Sequence, residues 1–134
     1  MNKTAIFFTK YSRSAASSRY RTYQYLPWLE TKGIHCVVSP LFDDAYLANK
    51  YKIGRGSKLD LLRALRRRLG MIPRARRHDL VVIEYELLPY FPAFFERLLG
   101  WIGCLYIVDY DDALFHHYDQ HRNSSDNIGC TIYA

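Results

Sequence analysis

The chain has 134 residues, 49% of them hydrophobic and 24% charged, which is enough for one domain with a core and too little for two. The formal charge of +6 is uneven: Lys50 to His78 holds eleven Lys and Arg against one acid, Asp60, so this arm stands at +10 and the rest at −4. Cys36, Cys104 and Cys130 show no metal-ligand spacing, which favours a reduced, cytoplasmic setting over a disulfide framework, and no run approaches the roughly 20 apolar residues that span a bilayer, so a soluble protein is expected.

In chain order, Thr4 to Thr9 is an apolar run that predicts a strand. It breaks into a small-residue loop, Ser12 to Ser18, and restarts as a helix capped by Ser17 or Ser18. Tyr20, Tyr23, Leu26 and Leu29 give that helix a buried stripe, Pro27 kinks it, and Gly33 stands just past its end. Ile34 to Ser39 reads as the second strand, closed by Pro40. Leu41 to Tyr51 reads as a loop and a short helix capped by Asp43 or Asp44, and Gly54 and Gly56 mark a break.

Lys58 to Leu69 is a basic amphipathic helix, with Leu59, Leu62, Leu65 and Leu69 as its apolar stripe and Arg63, Arg66 and Arg67 facing elsewhere. Asp79 to Glu84 is continuously apolar until its end, as a strand buried on both faces is. A helix follows from about Pro89 to Ile102, ended by Gly103, and Cys104 to Val108 is a fourth strand running into Asp109-Tyr110-Asp111-Asp112. Alternating strands and helices predict an α/β, Rossmann-like parallel sheet with helices on both faces. Residues 1–121 form that domain, and 122–134 read as an irregular tail.

The polar clusters all follow carboxyl ends of strands, where open α/β sheets bind ligands. Ser17 and Ser18 with Arg19 or Arg21 suit a phosphate or a hydroxyl; the plainer alternative is a capped helix with solvated arginines. Glu84 and Glu86 share a face if the strand persists and otherwise sit in the turn; they accept from sugar hydroxyls or pair with the basic arm. Asp109, Asp111 and Asp112 crowd like charges, which calls for a cation, a basic partner or a ligand, unless Asp111 or Asp112 merely caps a short helix. His116, His117 and His121 follow; one of them facing the crevice would join the site, and exposed loop histidines are the commoner alternative. The basic arm suits an anionic membrane surface, nucleic-acid phosphates, or plain solvation with its stripe in the core.

Ala16-Ser17-Ser18-Arg19-Tyr20-Arg21, Leu26-Pro27-x-Leu29-Glu30-x-x-Gly33, Ser39-Pro40-Leu41-Phe42, Asp79-Leu80-Val81-x-Ile83-Glu84 and Val108-Asp109-Tyr110-Asp111-Asp112-Ala113 together resemble the N-terminal domain of bacterial family 4 glycosyltransferases over about residues 3 to 121. The resemblance implies the N-terminal half of a GT-B fold, two Rossmann-like domains across a cleft, and metal-independent transfer of a sugar from a nucleotide-sugar donor with retention of configuration. By that likeness Ser17, Ser18 and Arg19 match the loop facing donor phosphates and acceptor. Glu84 and Glu86 border the acceptor, a sugar or a lipid-linked sugar. Asp111 falls near the transferred sugar, where many relatives instead carry His-Asp; it is the candidate catalytic residue, with Ser17, Ser18, Arg19, Arg21, Glu84, Glu86, Asp109, Asp112 and His116 as candidate substrate contacts. The family's donor-binding C-terminal domain has no counterpart in these residues, so a truncated product, inactive alone, is the expectation. No cofactor is implied. The expected place is cytoplasmic, with peripheral contact at the inner face of the membrane through the basic helix.

Two other classes compete. One is a Mg²⁺-dependent phosphotransfer or phosphohydrolase domain built on Asp109 and Asp111. The other is a noncatalytic module whose basic arm, residues 50–78, docks on membrane or nucleic acid, nucleic acid being the less favoured partner.

Overall fold

The structure, a computed structural model, describes residues 3–54, 57–89, 91 and 94–110. Four strands, β1 (Lys3–Tyr11), β2 (Ile34–Phe42), β3 (Leu80–Glu84) and β4 (Tyr106–Asp109), form one parallel sheet in the order β2-β1-β3-β4. The chain first steps outward from β1 to β2, then crosses back over β1 to build β3 and β4. This reversal puts a topological switch point between β1 and β3. Open α/β sheets bind ligands at such a point, outside the carboxyl ends of the two strands.

The central position of β1 explains its composition. Ala5 to Thr9 are buried on both faces, Ile6 and Phe8 joining one core and Phe7 and Thr9 turned to the other. On the first face, Ile6, Phe8, Val81 and Ile83 pack against Ile72 and Ala75 of α4 (Lys58–Ala75) and Leu99 of α5 (Phe94–Trp101). On the other lie α1 (Ala16–Ser18), a π turn at Arg19–Tyr23 and α2 (Leu26–Thr31). The doubly covered parallel sheet is thus as the alternation predicts.

Several element boundaries differ from expectation for local reasons. The first helix is not continuous: Gln24 N–H reaches back five residues to the Arg19 carbonyl, forming the π turn, and Pro27 stands in the first turn of a new helix instead of kinking an old one. Neither serine caps it, because the capping position falls at Ala15. Tyr20 is largely exposed and so leaves the expected stripe. Strand β2 runs through Pro40 to Phe42, since it is an edge strand and the missing N–H breaks no ladder. Gly33 and Gly103 both take positive φ (78° and 79°) just after α2 and α5, the left-handed conformation that ends helices and favours glycine.

The largest departure is in α4. Its buried face is Ala64, Arg68, Ile72 and Ala75, whereas Leu59, Leu62 and Leu69 are exposed and only Leu65 of the expected stripe packs on the core.

Before it, α3 (Asp44–Ile53) is capped by Asp43, whose Oδ1 accepts from the Tyr46 amide at 3.0 Å, while Oδ2 meets Arg67 Nη1 at 3.2 Å. The amide bond, chiefly, and Arg67 hold this carboxyl below its ordinary value. Its contribution is therefore present above that ordinary value and lost as pH falls through the lowered one. Asp43→Ala should cost about 1 kcal/mol at pH 7, as N-cap truncations do, and chemical denaturation at pH 7 and pH 3 should find the cost much reduced in acid.

Candidate functional site at the switch point

At the switch point the ends of β1 and β3 meet α1. Ser18 is fully buried: its hydroxyl donates to Glu84 Oε1 at 2.8 Å and accepts from the Tyr11 amide at 3.2 Å. One side chain therefore ties the end of β1, the first helix and the end of β3 together. Glu84 is 3% exposed. Its second oxygen, Oε2, has no hydrogen-bond partner among the described residues. Burial pushes the Glu84 carboxyl above its ordinary value, while the Ser18 hydrogen bond, the Arg21 charge and the Lys10 amide pull the other way and Asp109 adds to the rise.

Arg21 leaves the π turn toward the same edge. Its guanidinium lies 4.6 Å from the Tyr85 ring centroid and 3.7 Å from Asp109 Oδ2. The ring of Tyr85 also receives Lys10 Nζ at 5.1 Å, and contacts of this kind fix a cation without neutralising it. Tyr85 itself has φ 66°, an unusual conformation for an aromatic residue and one that clusters at functional sites. It turns the chain so sharply that the Glu86 amide bonds back to the Glu84 carbonyl at 3.0 Å, leaving Glu86 exposed.

From below, Arg68 of α4 reaches β1. It is 2% exposed, stacks 4.9 Å from the Phe8 ring centroid and donates from Nη2 to the Thr9 carbonyl, while Nε and Nη1 have no hydrogen-bond partner among the described residues. Desolvation lowers its pKa to about 9, helped by Arg67 and opposed by Glu84.

Of the residues expected at the site, Ser18, Arg21, Glu84 and Asp109 come together. Ser17 and Arg19 do not: both are exposed, and Arg19 lies over the Tyr20 ring at 5.4 Å. Glu86 is separated from Glu84 by the Tyr85 turn. Asp111, Asp112, His116, His117 and His121 lie outside the described residues. No group of three His, Cys, Asp or Glu side chains suited to a metal occurs among the described residues.

Lys10, Arg68 and Tyr85 were not indicated by the sequence. For Arg68 a signal existed, its phase with Ala64, Ile72 and Ala75, but the denser leucine phase outweighed it. Comparison of the chain with protein-family models, curated proteins and solved structures finds no match.

Proposed function

We propose that this chain is the acceptor-side portion of a retaining GT-B glycosyltransferase, with the switch-point crevice receiving the hydroxylated acceptor. The observation that carries the reading is the buried Ser18–Glu84 pair, which holds a carboxylate beneath the switch point with its Oε2 buried and without a hydrogen-bond partner among the described residues. Carboxylates of this kind orient sugar hydroxyls, and the cations at Arg21 and Lys10, fixed over Tyr85, suit the diphosphate side of a transfer reaction. In the intact enzyme such groups would act by electrostatic stabilisation of the leaving diphosphate and by proximity. The ordered motif set from Ala16 to Ala113 is the second support.

Backbone amide NMR should decide it. Titration with a panel of monosaccharides and disaccharides should shift the amides of Tyr11, Ser18 and Tyr85 at concentrations on the order of millimolar, the affinity of one half-site, and Glu84→Gln should weaken that response at least about tenfold. No response to any sugar, with Mg²⁺ instead moving Asp109, would replace this reading by the phosphotransfer one.

A further inference from the structure

The outward faces of α4 and α5 carry side chains that the core does not use. Along α4, Leu62 is 63% and Leu69 43% exposed. Their spacing is about two helical turns, so they lie on one line, with exposed Pro73 a further turn along. Beside that line runs a cationic one. Arg63, Arg66, Arg67 and Arg74, with Gly70 and Met71, line an open groove of about 390 Å³ to which no carboxylate among the described residues contributes. Arg63 and Arg67 are each met by one acid, Asp60 and Asp43. Arg66 has no ion-pair partner among the described residues.

Helix α5 covers the same face of the sheet and repeats the design. Leu99 points into the core, and the opposite side presents Phe94, Arg97 and Trp101, the last 80% exposed. Each helix thus spends one face on the core and offers solvent a second face on which apolar and cationic residues alternate.

We infer that the outer surface of the α4/α5 layer is a docking face for an anionic lipid bilayer. Charge complementarity and apolar exposure together select that occupant. A second copy of the chain would bring two strongly basic faces into contact. Nucleic-acid phosphates would reward the arginines and leave Leu62 and Leu69 in water. At a bilayer surface, by contrast, Leu and Phe enter the acyl boundary, Trp sits at headgroup depth and Arg meets lipid phosphate. No helix among the described residues is long and apolar enough to cross a membrane, so the contact is a surface one. It does not depend on what the crevice binds.

Co-sedimentation of the full chain with vesicles of three parts phosphatidylcholine to one part phosphatidylglycerol, and with phosphatidylcholine alone, tests this. Binding to the anionic vesicles only is expected. Arg63→Ala with Arg66→Ala should weaken it about 25-fold, at roughly fivefold for each basic residue. Leu62→Glu with Leu69→Glu should weaken it more; both positions are exposed and lie outside the core clusters, so circular dichroism should show an unchanged fold. In a Trp28→Phe background, Trp101 fluorescence should shift to the blue on binding. Failure to sediment with the anionic vesicles would overturn the inference. So would binding that the leucine pair does not weaken, and tight binding of duplex DNA by such a leucine-insensitive surface would identify nucleic acid as the partner.

Discussion

Arg68→Met should leave the protein as stable as the parent at pH 7 or more stable, by up to about 2 kcal/mol, whereas Arg68→Ala should destabilise it by about 3 kcal/mol. Both figures come from what the side chain does in the core. Its stem fills the inner face of α4 above Phe8, and its guanidinium, with five N–H donors, finds one hydrogen-bond acceptor among the described residues, the Thr9 carbonyl. A buried charge is costly unless it is paired and hydrogen-bonded, so an apolar side chain of similar volume in place of this poorly partnered guanidinium removes that cost. Truncation to alanine opens a cavity that a sheet and helix already in contact close only partly, with typical costs of about 2–5 kcal/mol.

The pH dependence has a definite sign. For a base whose folded-state pKa is lowered, here to about 9, the folding penalty is full while the group is charged, below that value. It is relieved as pH rises from there toward the ordinary arginine range. The advantage of methionine should therefore begin to shrink as pH rises above about 9, read by urea denaturation midpoints. A methionine variant that loses more than about 1 kcal/mol at pH 7 would show that the guanidinium has partners beyond Thr9.

Such a residue shows where sequence reading succeeds and where it stops. The strand runs at Thr4 and Asp79 were legible because a parallel sheet buried on both faces imposes a continuous apolar character, which few other arrangements produce. Gly33 and Gly103 were legible for a backbone reason alone. In α4 the same logic selected the wrong face. Four leucines at helical spacing outweigh the Leu61, Ala64, Arg68, Ile72 and Ala75 phase in hydrophobicity, yet it is Ala64 that packs with Leu41 and Phe42 of β2 and Ala75 with Ile6 and Phe8 of β1.

The site was half legible for a related reason. Ser18, Arg21, Glu84 and Asp109 follow strand ends, which topology brings to one edge. Lys10 and Tyr85 enter through a ring stack and a positive φ that follow from no spacing. The exclusion of Arg19 and Glu86 follows from the π turn and the Tyr85 turn, each a local change of direction, and Ser17 faces solvent from α1 beside the buried Ser18.

The Ser18–Glu84 pair supports the second large effect. Ser18→Ala should cost about 2–3 kcal/mol at pH 7, the range for a hydrogen bond to a buried charge, because it removes the side-chain donor to Oε1 of a carboxylate whose Oε2 already has none. Glu84→Gln should act oppositely at that pH. Burial raises the folded-state pKa of Glu84, so the stability linked to this group is fully present below the ordinary carboxyl pKa and is lost as pH rises through the raised value. The Glu84→Gln variant should accordingly be more stable than the parent at pH 7 and lose that advantage near pH 3, where Glu84 is protonated in both folded and unfolded chains. In the Glu84→Gln background, Ser18→Ala should cost only about 1 kcal/mol, the ordinary worth of a neutral hydrogen bond. The difference between the two backgrounds, taken as a double-mutant cycle at pH 7 and again at pH 3, measures the charged part of the coupling. A coupling that is the same at both pH values would mean that Glu84 is already neutral at pH 7. The crevice would then hold a carboxylic acid able to donate to a ligand oxygen as well as accept from a hydroxyl.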